Sequence, residues 1–344
     1  GLHLTNLVHA VSGDEHIFPS RVFITGANGF IGRALAQYCR ERGATVCGID
    51  FKAEPDWGVI SGDLTQPANW SEVLQGVDLV LHTAAIVSNT ATMDMAWRVN
   101  VKGTSDLLKA CVDAGVKRFL QLSSVAAYGF DFSHNVSEER PLRPMGNTYV
   151  DTKIASEHAV LACHAGGAMD CTIVRPGDVY GPGSRPWVIL PLEMMQAGKF
   201  LLPAHGQGLF SPVYIDDLVE GTMLAATRAA GRGHIFNISG GIEPTCLDFF
   251  SHHARMSGSG RPRAMGTVPA RLRVQTVGGL TRLFGGSSEM GSGAIDMLSR
   301  KAGYSIEKAV SLLGYQPTVG LDEGMHRTEQ WVRAMGLVQA AVVK

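Results

Sequence analysis

Short β-branched runs alternate with segments of helical periodicity from Arg21 onward, and this alternation constrains the fold more than any other feature. The runs are RVFIT, TVCGID, DLVLHTA and RFLQLSS, separated by a helix from Phe30, a helix near Trp70 and a long helix ending at Ala114. A helix over 147 to 165, the run DCTIVRP, a helix over 215 to 228 and the run HIFNIS follow. This spacing predicts β-α-β units and therefore a parallel sheet covered by helices.

The pattern predicts an α/β fold of the Rossmann type, a doubly wound parallel sheet, with a smaller substrate lobe near the C-terminus. The regularity breaks into Pro-rich and Gly-rich pieces after Pro182 and returns to the sheet at HIFNIS. We predict an N-terminal tail over 1–20, a dinucleotide-binding domain over 21–185, and a substrate lobe over 186–344. The lobe is partly interleaved, since 215–240 rejoins the sheet.

Composition excludes several classes of function. The chain of 344 residues has 30 basic and 31 acidic side chains, which gives no electrostatic basis for binding nucleic acid or an anionic membrane. No apolar run reaches the length of a membrane span, and the first 20 residues lack the pattern of a signal peptide. The six cysteines include no C-x-x-C pair, which favours a reducing, cytoplasmic location. His205, His252 and His253 lack metal-ligand spacing, so we expect surface or capping roles and no metal.

A glycine motif connects the first strand to the first helix. The strand RVFIT leads directly into Gly26-Ala27-Asn28-Gly29-Phe30-Ile31-Gly32, and a helix begins there. Glycines at this spacing allow a tight turn and a close approach to a pyrophosphate, while the helix N-terminus favours negative charge. We therefore predict that Gly26, Gly29, Phe30, Ile31 and Gly32 contact a dinucleotide. The simpler alternative is a glycine turn followed by a solvated acid.

That acid is Asp50, which ends the next strand eighteen residues after Gly32. A carboxylate at this point can bind the hydroxyls of the adenosine ribose and repels a 2′-phosphate, which favours NAD over NADP. Arg33 and Lys52 oppose this preference, because either cation could approach a 2′-phosphate.

Tyr149 and Lys153 lie four residues apart on a predicted helix and therefore share one face. A second pair with this spacing, Tyr304 and Lys308, follows no sheet strand, so we interpret it as a packing Tyr and a solvated Lys. Tyr149 follows Ser124 by 25 residues, and Ser124 ends a strand at the sheet edge where ligands bind.

These three residue types suit hydride transfer at a carbon that bears oxygen. A Tyr hydroxyl has a pKa of about 10 and needs a neighbouring cation such as Lys153 to act as a base near neutral pH. Tyr149 would exchange the proton of the alcohol, Ser124 would position the oxygen, and Lys153 would also bind the nicotinamide ribose.

The chain resembles the extended short-chain dehydrogenase/reductase family from Arg21 to Trp331. The matching pieces are TGANGFIG, GID, GDL, HTAA, VNVKGT, SSVAAYG, YVDTK and RPGDVYGPG. The resemblance implies cofactor contacts at the adenine from Asp63 and Leu64, at the phosphates and ribose from Thr83, Ala84 and Ala85, and at the nicotinamide from Pro176 and Val179. It also implies cofactor contacts from Asn100, Tyr149 and Lys153.

Two departures from the family narrow the reaction. Sugar dehydratases carry an acidic pair after the strand Ser, whereas Ser124 is followed by Val125 and Ala126, which disfavours dehydration. Nucleotide-sugar enzymes usually carry an Arg that holds the diphosphate before a late Asp. Here that stretch reads FSPVYIDD over 210–217, so the diphosphate clamp is missing.

The tail KAVSLLGYQPTVGLDEGMHRTEQWV resembles the 3β-hydroxysteroid dehydrogenase branch, which implies an apolar, steroid-like or lipid-like alcohol or ketone as substrate. Candidate substrate contacts are Ser124, Arg185, Trp187, Met194 and Phe210, although the apolar ones could equally be ordinary core. Two other functions stay open: a nucleotide-sugar 4-epimerase and a non-catalytic dinucleotide sensor. We also expect a homodimer.

Overall fold

Within the residues that the structure describes, seven strands form one parallel sheet. The computed structural model describes residues 18–85, 92–276 and 293–339, without the side chains of 274–276. The strands of this sheet are β1 Arg21–Thr25, β2 Thr45–Asp50, β3 Val59–Ser61, β4 Leu79–His82, β5 Arg118–Leu122, β6 Asp170–Pro176 and β9 Ile235–Ile238. Their order is β3-β2-β1-β4-β5-β6-β9.

The central strands are largely apolar because helices cover both faces of the sheet. In β1, Val22, Phe23 and Ile24 are fully buried. This strand pairs with β2 on one side and β4 on the other, with Thr25 level with both Ile49 and His82. The predicted parallel α/β sheet is confirmed, including the late return of HIFNIS, which pairs as β9 with β6.

The helices occupy the connections between strands. They are α1 Phe30–Glu41, α2 Met93–Ala96, α3 Gly103–Asp113, α4 Thr148–Ala165, α5 Leu190–Gln196, α6 Ile215–Thr227, α7 Cys246–Met256 and α8 Thr267–Thr276. Three later helices span Ala294–Met297, Glu307–Leu313 and Leu321–Ala334. A π-helical turn, Trp97–Lys102, joins α2 to α3. None of the described helices is long and apolar enough to cross a bilayer.

The apolar core on one face of the sheet continues without a break into the later part of the chain. Val22 and Leu35 belong to the same cluster of buried side chains as Val188, Phe210 and Phe249. The proposed division at residue 185 therefore stays a prediction. The N-terminal tail over 1–20 also stays a prediction, since the structure describes the chain from Phe18 onward.

A second, two-stranded sheet was not predicted. The short strands β7 Asp178–Tyr180 and β8 Pro212–Tyr214 pair in parallel beside the main sheet. A buried ion pair fixes this unit to the C-terminal segment: Arg300 Nη2 lies 2.5 Å from Asp178 Oδ2, and the backbone N–H of Ser211 donates to the same oxygen.

The predicted helix near Trp70 is wrong. Two 3₁₀ turns, Pro67–Asn69 and Ser71–Leu74, replace it, and Trp70 between them has φ −142°. The Trp70 indole N–H donates to the Asp63 carbonyl at 2.7 Å, and its ring stacks on Phe23 at 5.7 Å. These two contacts hold Trp70 out of helical geometry, which periodicity alone does not reveal.

Two further expectations need correction. His253 is not a surface or capping residue: it is buried, its Nε2 lies 2.6 Å from the Trp187 carbonyl, and burial lowers its pKa to about 4. Lys308 is not simply solvated, because its ammonium lies over the Phe236 ring at 5.1 Å. Tyr304 is a packing residue as predicted, buried against Tyr128 and Phe132.

Candidate active site

One cavity of about 900 Å³ opens along the carboxyl ends of the strands. This volume lies near the upper end for small-molecule sites. Its wall includes most of the predicted site residues: Gly26, Gly29, Phe30, Ile31, Gly32, Asp50, Asp63, Leu64, Thr83, Ala84, Ala85, Ser124, Tyr149, Lys153, Pro176, Val179 and Trp187. The glycine loop and the Ser-Tyr-Lys trio thus face the same space.

The glycine loop is packed so tightly that side chains would not fit at two positions. Gly26 has φ +64°, and a Cβ there would lie 2.7 Å from Thr83 Oγ1. A Cβ on Gly32 would lie 2.2 Å from the Gly26 carbonyl oxygen. Helix α1 begins after Gly29 with no side-chain cap and no acid in its first turn. Its N-terminal N–H groups therefore fit an anion such as a pyrophosphate.

Asp50 lies beside this loop with its carboxylate held by backbone donors. The N–H of Asn28 donates to Oδ2 at 2.9 Å, and the N–H of Phe51 donates to Oδ1 at 2.7 Å. Arg33 is held by its own neighbours: Nη2 donates to Asn28 Oδ1 at 3.2 Å, and the guanidinium lies 4.4 Å from the centre of the Trp57 ring.

Asp63 and Arg98 mark another part of the wall. The hydroxyl and N–H of Thr65 donate to Asp63 Oδ1, which lowers the pKa of that carboxyl, and the nearby Arg98 lowers it further. Among the described residues of the wall, Arg98 and Lys153 are the two cations. Arg98 is exposed and lies at the Asp63 end of the wall.

The trio comes from two elements. Tyr149 and Lys153 are buried on α4, and Lys153 Nζ lies 5.7 Å from the centre of the Tyr149 ring. Lys153 Nζ also donates to the Leu122 carbonyl at 3.2 Å, which ties it to the end of β5. Ser124 caps the 3₁₀ turn after β5, where its Oγ accepts the N–H of Ala126 at 3.0 Å. Helix α4 begins with Asn147 as its cap.

A buried polar network fixes α4 to the sheet one turn beyond Lys153. Glu157 accepts hydrogen bonds from Ser123 Oγ at 2.5 Å and from Arg175 Nη2 at 2.6 Å. Arg175 also donates to the Tyr128 hydroxyl at 2.8 Å. Because Ser123 precedes Ser124 and Arg175 precedes Pro176, this network positions two strand ends that face the cavity.

Four predicted site residues do not reach the cavity wall. Met194 and Phe210 are fully buried in the core, where Phe210 packs against Trp187 with ring centres 4.8 Å apart. Arg185 is exposed and lies 3.5 Å from Glu193. Asn100 is buried and donates from Nδ2 to Thr152 Oγ1 at 3.1 Å. Phe210 and Asn100 support residues near the site from behind.

Several residues of the wall were not predicted from the sequence: Ile49, Phe51, Gly62, Thr65, Met95, Val99, Arg98, Leu122, Ser123, Gly177, Ser184 and Pro186. Most are chain neighbours of predicted residues, so their position at strand ends was the available signal. His82 was also missed, although HTAA contains it. It is buried, and burial together with the charge of Lys153 lowers its pKa to about 3.

A comparison with protein families identifies the chain. The model of the NAD dependent epimerase/dehydratase family matches residues 22–239, well over half of the sequence. The chain belongs to this family. The family is NAD-dependent, which agrees with the predicted cofactor, and it includes the extended short-chain dehydrogenase/reductase type expected from the motifs.

The names of individual relatives point to apolar carboxylates in two cases and to a bound nucleotide sugar in a third. The sterol-4-alpha-carboxylate 3-dehydrogenase (decarboxylating) of Mus musculus is 27% identical, over 96% of this chain and 93% of its own. The 2-alkyl-3-oxoalkanoate reductase of Stenotrophomonas maltophilia is 27% identical, over 89% and 98%. Among solved structures, MoeE5 in complex with UDP-glucose and NAD is 28% identical with a TM-score of 0.73, over 92% and 99%.

We predict that Asp50→Ser lowers the kcat/KM ratio of NAD to NADP at least about tenfold, because it removes the charge that repels a 2′-phosphate. The measurement is that ratio for both cofactors. Asp56→Ser is the matched control, since Asp56 is exposed nearby but does not belong to the cavity wall. If the wild-type protein already prefers NADP, the role proposed for Asp50 is wrong, and Arg33 or Lys52 selects the cofactor.

Proposed function

We propose that this protein is an oxidoreductase that transfers a hydride between NAD and the secondary alcohol or ketone of an apolar substrate. The observation that carries the proposal is the shared cavity. Ser124, Tyr149 and Lys153 line the same space as the glycine loop, which leads into the N-terminus of α1 without a side-chain cap. Family membership supports the cofactor and the reaction class. The mostly apolar lining of the cavity supports the substrate class.

The roles proposed for the residues that would hold NAD are those that the motifs and the family resemblance imply, and these residues line the cavity. The N-terminus of α1 would bind the pyrophosphate, Asp50 the adenosine ribose, Asp63 and Leu64 the adenine, and Lys153 the nicotinamide ribose. When bound, NAD supplies the hydride acceptor or donor. The nicotinamide end would then lie near Pro176 and Val179.

Tyr149 would move the proton. Its ring is buried beside Lys153, so the ammonium stabilises the phenolate that forms when Tyr149 takes the alcohol proton. In the reducing direction the same hydroxyl returns that proton to the developing alkoxide. Ser124 would hydrogen-bond the substrate oxygen, which fixes the reacting carbon relative to Tyr149. Lys153 is itself held by the Leu122 carbonyl, so its position is set before substrate arrives.

The missing diphosphate clamp argues against a nucleotide sugar. Burying two phosphates without cationic or hydrogen-bonding partners is costly. Phe210 and Ser211, in the segment where the family's Arg is expected, are buried. The nearby Arg300 is fully enclosed and paired with Asp178, and Arg185 is paired with Glu193 at the surface.

The names of two relatives share a finer chemical feature. In a sterol-4-alpha-carboxylate 3-dehydrogenase, the reacting carbon neighbours the carbon that bears the carboxylate. A 2-alkyl-3-oxoalkanoate has the same relation between its ketone and its carboxylate. We therefore include 3-oxo and 3-hydroxy acids with apolar substituents among the substrates to be tested first.

A nucleotide-sugar epimerase is the second candidate function. The structural similarity to MoeE5, which was solved with UDP-glucose, favours it. An epimerase would need the same trio, so the discriminating feature is the substrate pocket and not the catalytic residues. A non-catalytic sensor is disfavoured, because this chain keeps both Tyr149 and Lys153.

We predict that Tyr149→Phe lowers kcat by about 10² to 10⁴, since the hydroxyl acts in proton transfer, while binding of NADH stays nearly unchanged. Steady-state kinetics and NADH fluorescence measure the two effects. The matched control is Tyr304→Phe, which removes a buried hydroxyl that accepts a hydrogen bond from Arg300 at 3.3 Å, outside the cavity wall. Near-full turnover by Tyr149→Phe would rule out this mechanism.

We predict that steroid or long-chain ketones and 3-oxo acids are turned over or inhibit, whereas UDP-glucose and UDP-galactose do neither. The physical reason is that the stretch over 210–217, where the family's Arg is expected, offers no cation for a diphosphate. A substrate panel read by NADH absorbance, followed by competition, tests this. Tight UDP binding that is lost in Arg185→Ala would overturn the substrate class and favour the epimerase.

A further inference from the structure

Five buried polar residues form a chain of hydrogen bonds between the glycine-loop edge and the catalytic helix, which passes through both the backbone carbonyl and the side chain of Asn100. His82 lies at its centre, with Nδ1 2.7 Å from Thr25 Oγ1 and Nε2 2.9 Å from Thr104 Oγ1. Thr104 Oγ1 donates to the Asn100 carbonyl at 2.7 Å, and Asn100 Nδ2 donates to Thr152 Oγ1. Each of the five is at most 3% exposed.

The partners of Thr25 fix the direction of these bonds. Thr25 Oγ1 already accepts the N–H groups of Thr83 at 3.0 Å and Ala84 at 3.1 Å, so its own hydrogen must point to His82 Nδ1. A neutral His82 then carries its proton on Nε2 and donates it to Thr104. Thr104 in turn uses its hydrogen for the Asn100 carbonyl, so each donor in the chain meets an acceptor.

Both ends of this hydrogen-bond chain adjoin residues that line the cavity. At one end, Thr83 and Ala84 line the cavity with their backbone held by Thr25. At the other end, Thr152 precedes Lys153 on α4 and donates to the Thr148 carbonyl at 2.7 Å. The hydrogen-bond chain therefore links the residues after β4 in the wall to the helix that carries Tyr149.

We propose that His82 is a positioning residue, a neutral link of fixed tautomer that sets the distance between the Thr83–Ala84 wall and the Tyr149–Lys153 helix. A dinucleotide bound in the cavity touches both, so this link determines how well the site fits the cofactor before any substrate binds. The expected effect of His82 on turnover rests on the proposed function. The expected effect on dinucleotide binding does not depend on that function.

Histidine suits this role because its two ring nitrogens reach opposite partners on a rigid frame. Burial and the charge of Lys153 disfavour protonation, so the acceptor at Nδ1 is retained at neutral pH. A second proton would set two hydrogens against each other at Thr25 Oγ1. Glutamine offers one acceptor and one donor at its tip, whereas leucine offers neither.

The first test is binding of NADH, followed by its fluorescence, which needs no substrate. His82→Leu loses two hydrogen bonds, and we expect NADH binding to weaken about tenfold. His82→Gln should restore binding to within about threefold of wild type. Where a substrate is available, kcat should fall in His82→Leu while the substrate KM changes little.

The second test uses two buried threonines whose hydroxyls make the same hydrogen bond within a helix. Thr104 and Thr328 are both buried helical residues whose hydroxyls donate to the carbonyl four residues earlier at 2.7 Å. Thr104 also accepts from His82, and Thr328 lies in the C-terminal helix, outside the cavity wall. We expect Thr104→Val to weaken NADH binding and Thr328→Val to lower only the melting temperature.

The outcomes separate a positioning role from a structural one. Equal NADH binding in wild type and folded His82→Leu, or no rescue by His82→Gln, would overturn the proposal. A long-range ¹H–¹⁵N NMR spectrum that shows the proton on Nδ1 would overturn it too, even if a variant failed to fold. Loss of NADH binding in His82→Leu without any substrate being found would support the link and leave the proposed oxidoreductase reaction as the part in question.

Discussion

The parallel direction of the sheet is the constraint on which the site depends. Because β1, β2, β4, β5 and β6 run the same way, their carboxyl ends meet along one edge, and the residues at or just after each end line the cavity. Gly26 follows β1, Asp50 ends β2, Thr83 follows β4, Ser123 follows β5 and Gly177 follows β6. No single segment builds the site, so the relative positions of its residues depend on how the strands and α4 pack together.

Buried polar networks fix these relative positions. Glu157 and Arg175 join α4 to β6, and Arg300 joins the C-terminal segment to Asp178 on β7. Buried ion pairs add little net stability compared with apolar packing, but removing one partner leaves a buried charge and costs about 3–5 kcal/mol. Their contribution here is positional, since both pairs lie next to strand ends that face the cavity. The same reasoning applies to the neutral chain through His82.

The sequence predicts those features that local rules determine. The strand pattern, the glycine loop, Asp50 and the Tyr149–Lys153 spacing depend on short stretches of chain, and the structure places them as expected around one cavity. Contacts between distant segments decide the rest. The Asp63 carbonyl and Phe23 hold Trp70 out of a helix. His253 is buried where its Nε2 meets the Trp187 carbonyl, 66 residues away in the chain. Hydrophobic residues such as Met194 and Phe210 look alike in sequence whether they line a pocket or fill the core behind it.

The most direct measurement of the central claim is the fate of the hydrogen on the reacting carbon. A cognate alcohol labelled with deuterium at that carbon is incubated with the protein and NAD, and both products are analysed by mass spectrometry. We predict that one deuterium appears on the nicotinamide for each ketone formed, and that the reduced cofactor accumulates. Return of the deuterium to an inverted carbon of a nucleotide sugar, with no net reduced cofactor, would contradict it.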